Sequence, residues 1–218
     1  MLVDKIKKAL IRWVFPSGPY YKALLGDPNS YLETTGWKRS LREGHPSSSE
    51  GHAVPWMNYP TVAFLSPRLR NDLSMFEFGA GYSTLYFSGI LGSVRSVEYN
   101  EYWFNSLEEK LPENCEIVFV PKDKDGDYCR AIHLTDDMYD LVLVDGRDRV
   151  NCIKQSIPRL KDGGVIILDD SDRERYSEGF TRLRNAGFRE ITFEGMAPMA
   201  TKRVQSTVFY RDQNCLGI

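Results

Sequence analysis

Charge of one sign is what the 218-residue chain lacks first: 28 Lys plus Arg stand against 30 Asp plus Glu, a formal charge of -2. No global field would gather phosphate backbones, so nucleic acid is not an expected partner. Cysteine is sparse. Cys115, Cys129, Cys152 and Cys215 include no Cys-x-x-Cys pair, which argues against a zinc site or disulfide framework and fits a reducing cytoplasm. The three histidines, His45, His52 and His133, show no metal-ligand spacing. No apolar run approaches the roughly 20 residues that span a bilayer, so no membrane span is expected. The first fifteen residues are charged too evenly for a secretory apolar core and read instead as an amphipathic helix. Its face of Ile6, Leu10, Trp13 and Val14 would pack on its own domain or on the partner of a homodimer.

What is present, at 42% hydrophobic content, suits one α/β domain over residues 53–218 behind an N-terminal extension, residues 1–52, expected to serve as lid or oligomer contact. From Pro16 to Pro55 Gly, Pro, Ser and aromatic residues give no sustained period, predicting loops and short helix. Beyond Leu73 short apolar runs alternate with helix-length amphipathic stretches. That alternation predicts βα units and a doubly wound sheet. Seven strands are expected, at Leu73 to Phe78, Ser93 to Glu98, Glu116 to Val120, Asp140 to Asp145, Val165 to Asp169, Phe188 to Phe193 and Ser206 to Arg211. Only a loop with Pro198 separates the last two. Without a crossover helix the last strand must run antiparallel to its neighbour.

The first strand runs into Gly79-Ala80-Gly81-Tyr82-Ser83-Thr84 and then into a helical pattern. Strand, glycine turn and helix together let a ligand approach the backbone, with free amides and the positive dipole end facing it. The third glycine of the dinucleotide fingerprint is absent, with Thr84 in its place, which counts against a nicotinamide-dependent oxidoreductase. The next strand ends in Glu98, about twenty residues past the turn, where such folds place a ribose-binding acid. Tyr99 follows and could cover one face of an adenine.

These residues, with Phe76-Glu77-Phe78-Gly79-Ala80-Gly81 and Asp140-Leu141-Val142-Leu143-Val144-Asp145-Gly146, resemble the class I S-adenosylmethionine-dependent methyltransferases over roughly residues 53–211. Pro55-Trp56-Met57-Asn58-Tyr59-Pro60, Asp145-Gly146-Arg147-Asp148-Arg149 and Ser171-Asp172-Arg173 look closest to FkbM-like bacterial members. The resemblance implies a Rossmann-like sheet, mostly parallel with an antiparallel last strand, and S-adenosyl-L-methionine as cofactor. It places Glu77, Gly79, Ala80, Gly81, Tyr82 and Ser83 around the methionine end and ribose, and Glu98 and Tyr99 on the adenosine. Asp127 and Tyr128 match by position the place of adenine contact, while Trp56 and Tyr59 would fold over the sulfonium.

Ligands of open parallel sheets bind beyond the carboxyl ends of the strands, where Asp145, Asp169 and Asp170 fall. Asp145 could accept from the cofactor's α-ammonium or act on the acceptor's proton, with Asp169 or Asp170 as base; as an alternative, the three would hold a divalent cation that bridges acceptor hydroxyls. Arg147, Arg149, Arg173 and Arg175 gather at the same edge, which suits an anionic or polyhydroxylated acceptor, a small molecule or glycan methylated on oxygen. A noncatalytic binder of adenosylmethionine is the remaining rival.

Overall fold

A parallel sheet covered on both faces needs strands that are apolar on both sides, and the central runs of this chain supply them. Phe76, Phe78, Val142, Val144, Ile166 and Leu168 face one core, joined by Ile153 and Leu183. The alternate residues Met75, Leu141, Leu143, Val165 and Ile167 face the other, against Leu65, Phe87 and Leu91. A computed structural model describes Leu24 and residues 26–218; the amphipathic helix expected over the first fifteen residues lies outside the described residues.

The strands are β1 Ser74–Phe78, β2 Ser93–Glu98, β3 Cys115–Phe119, β4 Tyr139–Val144, β5 Leu160–Asp169, β6 Arg189–Gly195 and β7 Val204–Tyr210. They form one sheet in the order β3-β2-β1-β4-β5-β7-β6. The first five pair in parallel, and β7 runs antiparallel to both β5 and β6. The hairpin thus folds back so that the last strand, rather than β6, adjoins β5. β5 begins five residues before the expected Val165. Gly163 and Gly164 lie in a register irregularity where Tyr139 opposes Leu160 and Leu141 opposes Val165.

The helices are α1 Tyr31–Thr34, α2 Trp37–Glu43, α3 Tyr59–Leu65, α4 Tyr82–Ser88, α5 Glu101–Glu108, α6 Asp127–Arg130, α7 Arg149–Ser156 and α8 Ser177–Asn185. Among the described residues no helix is long and apolar enough to cross a membrane. The segment before β1 is tied to the β6–β7 side of the sheet. Trp37 Nε1 donates to the Ala200 carbonyl at 2.8 Å, and the Tyr59 amide donates to the Met196 carbonyl at 2.8 Å.

Asn58 is the main fastening of that segment. Its side-chain oxygen accepts from the Thr61 amide at 2.9 Å and caps α3, while its Nδ2 donates to Ser206 Oγ at 2.8 Å and the Phe193 carbonyl at 3.3 Å. Fully buried, these bonds have no water to replace them. Asn58→Ala should therefore lower the unfolding free energy by about 1–3 kcal/mol in urea titrations of the full chain. A loss below about 0.5 kcal/mol would show that the cap carries none of the anchoring assigned to it.

Candidate functional site

A cleft of about 950 Å³ opens at the carboxyl ends of β2, β1, β4 and β5. Its floor is two loops in backbone contact. Gly79 has φ +93°, and a Cβ there would lie 2.8 Å from both the Cα and the amide nitrogen of Gly146. Only glycine combines that conformation with that approach. Gly146 is restricted in turn, because a Cβ on it would fall on the Tyr128 hydroxyl. Gly81 differs: its backbone is extended, and a Cβ would meet nothing nearer than Trp103 Nε1 at 3.5 Å.

Beneath the turn lies Glu77, wholly buried at 0% exposure. Three hydroxyls donate to its carboxylate: Ser83 to Oε1 at 2.5 Å, and Thr84 and Ser96 to Oε2 at 2.5 and 2.7 Å. Thr84 Oγ1 also accepts from the Gly81 amide at 2.8 Å. The carboxylate thereby binds the turn, the start of α4 and the middle of β2 into one unit. Burial pushes its pKa up to about 7, against the lowering effect of the three hydroxyls.

Glu98 ends β2 and faces the cleft, with 3% of its surface exposed. Oε2 accepts from the Ala80 amide at 3.0 Å and Oε1 from the Asn100 amide at 2.7 Å. Each oxygen keeps a second lone pair, and burial raises the carboxyl above its usual range despite the backbone amides and Arg147. Around it stand Tyr99, Tyr102 and Trp103. Trp103 Nε1 donates to the Ala80 carbonyl at 2.6 Å, and the Arg147 guanidinium lies 5.2 Å over the Tyr99 ring.

At the β4 and β5 ends the organising group is Arg149, only 6% exposed. Its Nη2 donates to Asp145 Oδ1 at 2.9 Å, to the Asp145 carbonyl at 2.7 Å and to Asp170 Oδ2 at 3.4 Å. Nε donates to the Gly146 carbonyl at 3.0 Å, and Nη1 to the Asp169 carbonyl. Asp145, 24% exposed, lines the cleft, and burial raises its pKa to about 7 although Arg149 opposes the shift. Asp169 is buried and accepts from Ser206 Oγ at 2.6 Å; burial and the Asp145 charge push its carboxyl well above the usual range. One oxygen from each of Asp145, Asp169 and Asp170 lies within 4.8 Å of the others, a spacing that would suit a cation.

Of the residues expected at the site, Trp56, Gly79, Ala80, Gly81, Tyr82, Ser83, Glu98, Tyr99, Asp145 and Asp170 line the cleft. Five do not. Tyr59 is buried beside Leu32 and Trp37, because it begins α3 on the side away from the cleft. Tyr128 belongs to the core under Gly146, and Asp127 is exposed at the start of α6, where its amide donates to Asp123 Oδ2 at 2.6 Å. Glu77 lies under the turn with three hydroxyls on its carboxylate, and Asp169 is buried and bonded to Ser206. Arg149, expected with the edge arginines, is an internal brace. Trp103 was not foreseen; the Asn100 cap fixes the phase of α5, but only the fold brings that ring to Ala80.

No protein-family model matches the chain, and no curated protein does. Solved structures share its fold. A putative O-methyltransferase from Klebsiella pneumoniae is 15% identical with TM-score 0.55, the match covering 90% of this chain and 96% of that one. A precorrin-6y C5,15-methyltransferase from Geobacter metallireducens is 18% identical with TM-score 0.53, covering 70% and 87%. A precorrin 8w decarboxylase from Methanobacterium thermoautotrophicum is 17% identical with TM-score 0.55, covering 69% and 87%. The sheet order and antiparallel last strand are those of the Rossmann-like methyltransferase fold.

The two glycines of the turn should separate in experiment. Gly79→Ala is expected to cost at least about 2 kcal/mol of stability through strain and overlap, and Gly81→Ala less than about 1 kcal/mol. Equal losses would refute the Gly79–Gly146 contact. Glu77 makes a prediction in pH. Its native pKa of about 7 exceeds the ordinary 4.5, so the folded chain holds the proton more firmly and this residue's contribution to stability falls as pH rises from 4.5 to 7. The melting temperature of the parent relative to Glu77→Gln should decline across that window. A difference that is flat or rises would show the carboxyl to be ionised in the fold.

Proposed function

We propose that the chain is an S-adenosylmethionine-dependent methyltransferase acting on an oxygen of a small acceptor. The observation that carries this reading is Glu98: a buried carboxylate oriented by two backbone amides, facing the cleft beside the glycine turn, with lone pairs left for a vicinal diol. The residues present fit the cofactor. Glu98 would take the ribose hydroxyls, the rings of Tyr99 and Trp103 would flank the nucleoside, and Ala80 to Ser83 would meet the methionine end. Glu77, Asp127, Tyr128 and Tyr59 have no direct contact in this reading. The missing third glycine argues against nicotinamide, since Thr84 in its place is committed to Glu77.

When bound, the cofactor supplies a methyl already activated on a sulfonium, so the chain's own contribution is to place and desolvate the acceptor oxygen. Asp145 is the group positioned to take the acceptor's proton. It faces the cleft, and burial weakens its hold on charge while Arg149 fixes its orientation. Asp169, behind it, would act through Ser206 and Asp145 rather than on the acceptor. The Arg149 guanidinium already stands between Asp145 and Asp170, which supports catalysis without a divalent cation at those acids.

Calorimetry should detect adenosylmethionine and its demethylated product but not reduced nicotinamide dinucleotide. Silence toward the first two at millimolar concentration overturns the reading. Glu98→Gln should weaken both by about tenfold or more, the loss of charge-assisted bonds to two hydroxyls. With an acceptor found, Asp145→Asn should slow product formation by about 10²- to 10⁴-fold at little change in cofactor affinity. Chelators should leave the parent rate unaltered. Loss on chelation, restored by magnesium, would give the three acids to a metal instead.

A further inference from the structure

If the β2 and β1 ends hold a nucleoside, the remainder of the cleft, over β4 and β5, is left for the acceptor. That half is walled by Trp56, Asp170, Arg173, Arg175, Tyr176 and Glu178. Trp56 belongs there because α3 is fastened to β6 and β7 through Asn58, two residues on.

We propose that this half is a pocket for an anionic acceptor, whose carboxylate or phosphate is held by Arg175 and Arg173 while a flat ring lies on Trp56. The inference rests on the cofactor reading above for its direction, and on the following charges for its chemistry. Three carboxylates of this half already have a cation, and a fourth, Asp148, accepts instead from the Asp125 amide and Asn151 Nδ2. Asp145 is paired with Arg149 at 2.9 Å, Asp170 with Arg173 at 2.5 Å and Arg149 at 3.4 Å, and Glu178 with Arg182 at 2.6 Å. Arg175 has no carboxylate partner among the described residues. Its Nη2 donates to the Tyr176 hydroxyl at 2.9 Å and its guanidinium lies 4.9 Å over the Tyr176 ring. A buried tyrosine thus holds one face of the guanidinium in place and leaves it donors for a ligand. Arg173 is oriented by Asp170, whose left-handed φ of 48° turns the chain at the end of β5. Both arginines line this half of the cleft, one paired with Asp170 and one without a carboxylate partner, so their remaining donors are available to the oxygens of an anion bound there.

Trp56 is the second, independent observation. A side chain of that size left 54% exposed on the wall of a cleft lacks the burial that would justify it as packing. It offers instead a broad apolar face to a planar or sugar ring.

The test uses the full chain, free and loaded with the demethylated cofactor, titrated by calorimetry with matched pairs. One pair is 4-hydroxybenzoate and its methyl ester, another is glucose 6-phosphate and glucose, and inorganic phosphate is the minimal probe. At least one anionic member should bind about tenfold or more tightly than its neutral counterpart, the range of a charge-assisted pair. The pair that responds distinguishes carboxylate from phosphate. Arg175→Gln should remove most of that preference while cofactor affinity stays parental, and Trp56→Ala should weaken the ring-bearing anion more than inorganic phosphate. The proposal is overturned if no anion binds at about 10 mM, if the members of each pair bind alike, or if the preference survives in Arg175→Gln. Cofactor binding without anion binding refutes this pocket alone; anion binding without cofactor binding refutes the cofactor reading and leaves the pocket standing.

Discussion

A carboxylate with no access to water must find its hydrogen bonds inside the protein or give up its charge, and Glu77 is held between those outcomes. Three hydroxyls from two places in the chain, Ser83 and Thr84 together and Ser96 apart, converge on it. Because two of them open α4 and the third lies in β2, satisfying this one group fixes the glycine turn against both neighbours. The close approach of Gly79 to Gly146 then follows from the loop's height, and with it the depth of the cleft floor. Glu98 is placed by the same frame, since the Ala80 amide that orients it belongs to the turn that Glu77 secures.

Arg149 does for β4 and β5 what Glu77 does for β1 and β2. A buried guanidinium needs both counter-charge and carbonyl acceptors, and it gathers the carbonyls of Asp145, Gly146 and Asp169 with the carboxylates of Asp145 and Asp170. Removing it would leave like charges crowded at two strand ends. Its presence lets an acid sit in the cleft wall with its pKa shifted toward neutrality yet its position fixed, a combination that serves proton transfer.

The strands were legible because apolar alternation and short runs have one economical arrangement, and Glu98 was legible because strand length sets its distance from the turn. The glycine turn was legible as a motif, but not which glycine is irreplaceable, since that depends on how closely β4's loop approaches. Side-chain direction was the weak point. Tyr59 and Tyr128 were both expected against the cofactor, yet the phase of α3 and α6 turns both inward. The i,i+4 spacing of Asp145 and Arg149 on the turn into α7 was a readable hint of their pair. That the guanidinium also reaches β5 depended on strand order. Trp103 left no comparable signal, because its partner is a backbone carbonyl some twenty residues away.

The two halves of the cleft differ in what carries them. Glu77, Ser96 and Glu98 stand on strands, whose positions the whole sheet determines, whereas Trp56, Arg173 and Arg175 stand on connecting segments. The half of the cleft proposed for the nucleoside is built on strands and tolerates little change, since moving any strand disturbs two cores at once. Residues on the segment after β5 are tied to the frame mainly through Asp170 and Tyr176, so their identity can vary while the sheet stays as it is. In the proposed reading, acceptor choice would therefore rest on a small number of loop side chains, and a change of acceptor would require no change in the frame that Glu77 and Arg149 hold.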